Sequence, residues 1–219
     1  MDNTPVLKLT KLVIKKEDRA EYIREAENDM HQSIPAQIDT LIIGSGHEDA
    51  QGTINYVVRL FRSPIAEDLY TAADHADEYA ETIKRIAQEQ KTWDLNAQII
   101  TTKPNKALNS YANEFVMHLN KINVKKGNED KFEHAIKKEI TNAMAEEVGV
   151  EMIIAGNDKS NPDEWFVLEV YSNDTEYKAH LDSKHFAEYQ DEIKDLIESR
   201  ESHELVRDTL ASQGAVVID

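Results

Sequence analysis

WFVLEVYSNDTEYKAHLDSKHFAEY, residues 165–189, decides the fold. Its opening alternates as a strand, with Trp165, Val167, Glu169 and Tyr171 on one face and Phe166, Leu168 and Val170 on the other. A polar turn follows. Asn173 with Glu176 three residues later has the capping-box spacing, so a short helix carries Tyr177 and His180 before Ser183 starts another. Two histidines therefore stand just beyond one strand.

A shift of 110 positions sets this stretch on residues 55–79, NYVVRLFRSPIAEDLYTAADHADEY. Tyr171 falls on Phe61, His185 on His75, Glu188-Tyr189 on Glu78-Tyr79 and Ile193 on Ile83. The same ungapped register holds upstream and downstream, with Leu119 on Leu9, Lys125-Lys126 on Lys15-Lys16, Phe132 on Tyr22, Gly156 on Gly46 and Leu205 on Leu95. Chance does not keep one register through strands, loops and helices, so the chain is read as a tandem duplication.

The first copy supplies the order of elements. VLKLTKLVI (residues 6–14) alternates and then turns wholly apolar, a strand buried over part of its length. Helical spacing of Ala20, Ile23 and Met30 runs toward Pro35. Strands at Thr40–Ile43 and Ile54–Phe61 flank GSGHEDAQG as a hairpin with a Gly-rich connection. Ser63-Pro64 starts helical segments reaching about Lys91, and Trp93–Ile100 returns as a strand. This is β-α-β-β-α-β, the ferredoxin-like split unit. Pro104, Asn105 and Asn109 interrupt any periodicity, so the expected division is residues 1–103, a linker at 104–113, and residues 114–219. One such unit leaves a sheet face bare, and the second copy supplies its partner covalently. The expected fold class is α+β: two such repeats forming an intrachain dimeric α/β-barrel, a pseudo-dimer open to further homo-oligomerisation.

The formal charge of −17 argues against nucleic acid and anionic membranes, whose binding requires clustered Lys and Arg. With no apolar run of membrane-spanning length, no leader and no cysteine, the expectation is a soluble cytoplasmic protein without disulfides or thiolate chemistry.

Glu169, Tyr171, Ser172, Asn173, Ala179, His180, Leu181, His185 and Phe186 form a pattern that resembles the antibiotic biosynthesis monooxygenase family. The second half carries it throughout, and the first mainly through the repeat. The resemblance implies dimeric α+β barrels whose enzymatic members oxidise quinol-, phenol- or enol-like substrates with dioxygen, without metal or flavin. The first half departs from the pattern: Tyr70 stands at the position of His180, Ala76 at that of Phe186 and Arg59 at that of Glu169. A single chemical site is therefore expected in the second half.

Such chemistry starts with a base that removes a proton from an electron-rich substrate. Histidine suits it, so His180 and then His185 are the candidate bases, with helix capping or core hydrogen bonding as the alternative. Glu169 interrupts an apolar strand and needs a partner, either Arg59 in an ion pair across the halves or a substrate. Trp165 and Tyr171 are candidates to stack a flat aromatic or enol-like ligand, or are core. His118 and Asn120 share a strand face and either orient a substrate oxygen or face water.

No cofactor is expected. His180 and His185 are five apart rather than three or four, and there is no HExxH, so no metal site is expected. The GSG of residues 44–46 opens no helix and reads as a turn rather than a dinucleotide fingerprint. LNKINVKKGNEDKF (residues 119–132) resembles the start of haem-degrading relatives, yet His180 and Gln190 stand where that resemblance requires tryptophan and a haem-ligating histidine, which demotes haem. The expected function is a cofactor-independent monooxygenase. The alternatives are a non-catalytic ligand-binding or stress protein and an isomerase-like enzyme using the same base.

Overall fold

The computed structural model describes residues 3–103 and 115–219, and the linker expected at 104–113 lies outside the described residues. The first repeat runs β1 (Val6–Ile14), α1 (Arg19–Ala36), β2 (Thr40–His47), β3 (Ile54–Phe61), α2 (Pro64–Thr71), α3 (Asp74–Ile86) and β4 (Ala87–Thr102). The second runs β5 (Val116–Val124), α4 (Glu129–Glu146), β6 (Val150–Asp158), β7 (Glu164–Tyr171), α5 (Asp174–Leu181), α6 (Lys184–Ile193) and β8 (Ile197–Ser212), with a short β9 (Val217–Ile218) after it. From β5 to β8 each element starts 110 positions after its counterpart, as 116 − 6 and 197 − 87 show for the first and last pairs.

The helices start where their caps dictate. Ser63 accepts from Ala66 N ahead of Pro64, Asn173 accepts from Thr175 and Glu176 N at 2.9 and 3.1 Å, and Ser183 accepts from Phe186 N at 3.2 Å. At the other end of α4, Lys103 Nζ donates to the carbonyls of Met144 and Glu147 at 2.9 and 2.6 Å, placing positive charge on the negative end of the helix dipole.

The chain divides into two compact units, and the cut does not follow the repeats. One unit holds residues up to Asn96 together with Val206–Gly214; the other holds Ala97 onward in β4, the second repeat as far as Leu205, and Ala215–Asp219. Each 16-residue strand, β4 and β8, thus ends in the unit of the other repeat. In the first unit the sheet order is β4-β1-β3-β2-β8, with Leu7 opposite Leu95 and Ile42 opposite Ser212. In the second it is β8-β5-β7-β6-β4-β9. The fold is α+β with two ferredoxin-like units, and the exchange of strand ends is the intrachain form of the dimeric α/β-barrel class.

Two local expectations are corrected. The GSG of residues 44–46 lies inside β2, not in a turn, because the strand continues to His47 opposite β3 and β8. A Cβ at Gly44 would approach Leu210 Cδ1 to 2.8 Å, so a larger residue there has to shift that buried side chain. The turn itself is residues 48–53, where Asp49 accepts from Thr53 and Ile54 N and Gly52 takes φ +66°. Likewise β4 begins at Ala87 rather than Trp93. Its first residues are polar and exposed, and pairing with β1 rather than apolar alternation holds them extended.

Beneath the helices of the second unit a continuous core joins Trp165, Val167 and Tyr171 of β7 to Phe132, Ile136 and Ile140 of α4 and Tyr189 and Ile193 of α6. Among the described residues the first unit holds smaller clusters, one around Met30, Phe61, Tyr70 and Ala76 and another around Tyr22, Ala26, Tyr79 and Ile83.

Candidate active site

In the second unit, α4, α5 and α6 bring two histidine–carboxylate pairs together under the sheet face that carries Glu169. His180, on the last turn of α5, is 1% exposed, and its Nδ1 lies 2.9 Å from Glu147 Oε1. His185, on the first turn of α6, places Nδ1 2.8 Å from Glu139 Oε1 and Nε2 2.8 Å from Glu147 Oε1. Glu147 thus lies between the two imidazoles. Because a carboxylate only accepts, Nδ1 of His180 carries the proton in that pair, and in the neutral imidazole the lone pair is then on Nε2. That nitrogen is buried and makes no hydrogen bond, as do Tyr171 and Tyr189 through their hydroxyls.

Glu169 accepts from Asn120 Nδ2 at 3.3 Å, while Asn120 Oδ1 takes hydrogen bonds from Arg200 Nε and Nη2 and from Ser202. Burial pushes Glu169 above the ordinary carboxylate range, against the pull of His180 and Arg200. Burial likewise raises Glu139 despite His185 beside it, and raises the Tyr171 and Tyr189 phenols. Asn120, Glu139, Glu169, His180, Tyr189 and Arg200 border a cavity of about 10 Å³, the room of a single water.

At the equivalent place in the first unit the chemistry is replaced and the room is larger. Asp29, the counterpart of Glu139, accepts from Arg59 Nη2 at 3.0 Å and Tyr70 OH at 2.8 Å, and lies 3.0 Å from His75 Nδ1. Arg59 thus finds its carboxylate within its own unit and Glu169 finds Asn120 within the other, which corrects the expected Arg59–Glu169 pair. α1 carries an acid opposite β3, so Arg59 has no need of a partner elsewhere. Ala76 stands where Phe186 packs onto the second core, and beside it opens a pocket of about 410 Å³ lined by Arg59, Tyr70, Tyr79, Ile83 and Gln90 among others.

Residues 115–192 match the family model for antibiotic biosynthesis monooxygenases. A provisionally named monooxygenase from Lactobacillus acidophilus NCFM is 48% identical over 99% of this chain and all of its own, with a TM-score of 0.92. The chain belongs to the antibiotic biosynthesis monooxygenase family. A provisionally named monooxygenase of Fusobacterium nucleatum (21% identical, 100% and 99% coverage, TM-score 0.91) and an anthrone oxidase-like protein (10% identical, 97% and 94% coverage, TM-score 0.58) share the fold. No curated protein matches the chain. Membership supports a monooxygenase-like function in general terms.

Within this family member, His180, His185, Glu169 and Asn120 come together in one cluster, and Tyr171 lies at its edge, its ring 5.4 Å from that of His180. Trp165 does not line the cavity. It is buried edge-on to Phe132, with ring centroids 5.1 Å apart, in the core under α4. His118 and Asn120 do not face water. His118 stacks on Tyr177 at 3.6 Å, and burial lowers its proton affinity.

Four residues escaped the reading of the sequence: Glu139, Glu147, Tyr189 and Arg200. Glu139 had a signal, since it falls in the buried stripe Phe132, Ala135, Ile136, Ile140 and Ala143 of α4, and its counterpart Asp29 sits in the same stripe of α1. Glu147 and Arg200 lie on polar segments, and nothing local marks them. The repeat also separates roles. The acid–histidine pair Glu139–His185 has its counterpart in Asp29–His75, whereas His180–Glu147 is replaced by Tyr70 and Gln37. His180 is therefore the histidine particular to the motif-bearing half.

Proposed function

We propose that this chain is a cofactor-independent monooxygenase acting on a small phenol-, quinol- or enol-like substrate at the second repeat, with His180 as the base. The observation that carries this reading is the buried Nε2 of His180, left without a partner while Nδ1 is held by Glu147. A base so oriented takes the hydroxyl or α-carbon proton of a bound substrate, and Glu147 stabilises the imidazolium that results. The substrate anion passes an electron to dioxygen. For an activated CH₂ the overall change is R₂CH₂ + O₂ → R₂C=O + H₂O, which needs no external reductant. Asn120, held by Arg200 and Ser202, and the Tyr189 hydroxyl are the polar groups placed to orient the substrate oxygen, and His185 with Glu139 positions Glu147.

The cavity of about 10 Å³ requires the substrate to displace side chains, and Phe186 of α6 packs beside His180 with its ring 4.6 Å away. That same filling favours a second reading, a protein that binds a ligand without turning it over. Oxygen uptake with a panel of anthrone, hydroquinone and naphthol substrates separates the two. His180→Gln is expected to lower enzyme-dependent uptake by about 100-fold or more, the range of a lost general base. No uptake by the unmodified protein on any member, or full activity in the variant, sinks the oxygenase reading.

A further inference from the structure

The pocket of the first repeat is absorbed by neither reading. It lies between the sheet and α2–α3, bordered by residues of two core clusters of that unit, and its volume of about 410 Å³ is in the range of small-molecule sites. The side chain responsible is Ala76, which stands where the second repeat has Phe186.

We propose that this pocket binds a small aromatic carboxylate, with the acid on Arg59 and the ring against Tyr79, Ala76 and Ile83. The guanidinium of Arg59 lies over the rings of Tyr79 and Tyr70, 4.6 and 5.4 Å from their centroids, and its position is fixed by Asp29. Arg59 lines the pocket with its side chain 16% exposed, and Asp29 takes only its Nη2, so donors of the guanidinium remain for a ligand. A carboxylate makes a charge-assisted bond to such a donor, roughly twice as strong as a neutral acceptor makes. Lys84 in the lining is paired with Glu81 and Arg59 with Asp29, so recognition there rests on the hydrogen-bonding fork of Arg59 and not on a net positive charge. Phosphate fits less well, since the apolar wall of Ala76 and Ile83 would leave its other oxygens unpaired. Tyr70 stands here where the second repeat has His180, and the inference does not depend on oxygenation in the second repeat.

Calorimetric titration of the full chain with naphthoate, and with naphthamide as its neutral match, tests it. Naphthoate is expected to saturate at one equivalent and bind about tenfold or more tighter than the amide. Ala76→Phe, which restores the side chain of the other repeat, should abolish binding. Ala80→Phe should do the same from an exposed position of α3 at the mouth, where folding is not at risk. His180→Gln should leave binding unchanged. Absence of saturable binding, equal affinity for the amide, or binding that survives Ala80→Phe overturns the proposal. Loss of binding in His180→Gln with retention in Ala80→Phe overturns it too, by assigning the ligand to the second repeat.

Discussion

Two residues at equivalent positions on β3 and β7, Arg59 and Glu169, show how one backbone site takes opposite charges. Arg59 is tied to a nearly inaccessible Asp29 that is also held by Tyr70 and His75. Arg59→Met leaves that carboxylate short of its cationic partner, and a loss of about 3 kcal/mol is expected, as for other broken buried pairs, read from urea unfolding. Glu169 has no such cation in direct contact, and burial raises its proton affinity above the ordinary value of 4.5. The folded state therefore holds this proton more tightly than the unfolded chain. The contribution favours folding below about that value and is lost as pH rises through the raised folded pKa. At neutral pH the ionised group opposes folding. Glu169→Gln is thus expected to raise Tm at pH 7, with the gain shrinking toward zero near pH 4; a gain that grows on acidification would contradict the burial argument.

At the scale of elements, the helix pair after each third strand decides whether its repeat is filled or open. α6 sends Phe186 against His180 and Tyr189, whereas α3 offers Ala76 at that place. Phe186→Ala is expected to cost about 2 kcal/mol, less than a fully buried phenylalanine because this one is only partly buried. It should also open beside His180 room like that in the first repeat, seen as a cavity in a crystal structure and as a rise in kcat/KM for bulky quinols. These elements were legible in the sequence wherever local chemistry set them: the Ser63-Pro64 start, the Asn173 cap and the alternation of β7 are all found where the pattern put them. The start of β4 was not legible, because its first residues carry no apolar signal and are extended only through hydrogen bonds to β1.

At the scale of the molecule, the strand exchange makes each unit depend on the sequence of both repeats. β2 is covered on one side by β3 and on the other by Val206–Ser212, which belong to the second repeat. Residues 1–103 alone would expose that edge and leave the end of β4 without its strand neighbours. They are expected not to give a folded monomer: light scattering should find dimers or larger species, and a folded monomer with native far-UV circular dichroism would refute the dependence. No helix among the described residues is long and apolar enough to cross a membrane.

The sequence by itself determined the repeat, the order of its elements and the positions where the copies differ, because periodicity, caps and register are properties of neighbouring residues. It assigned His180, His185, Glu169 and Asn120 to their strands and helices, since strand faces and helix turns follow from spacing. Only the tertiary structure decided their partners. Glu147 and Arg200 come from segments with no local mark, Arg59 turned to Asp29, and a pocket opened beside Ala76, because cavities and ion pairs are set by what side chains distant in sequence leave unfilled or unpaired.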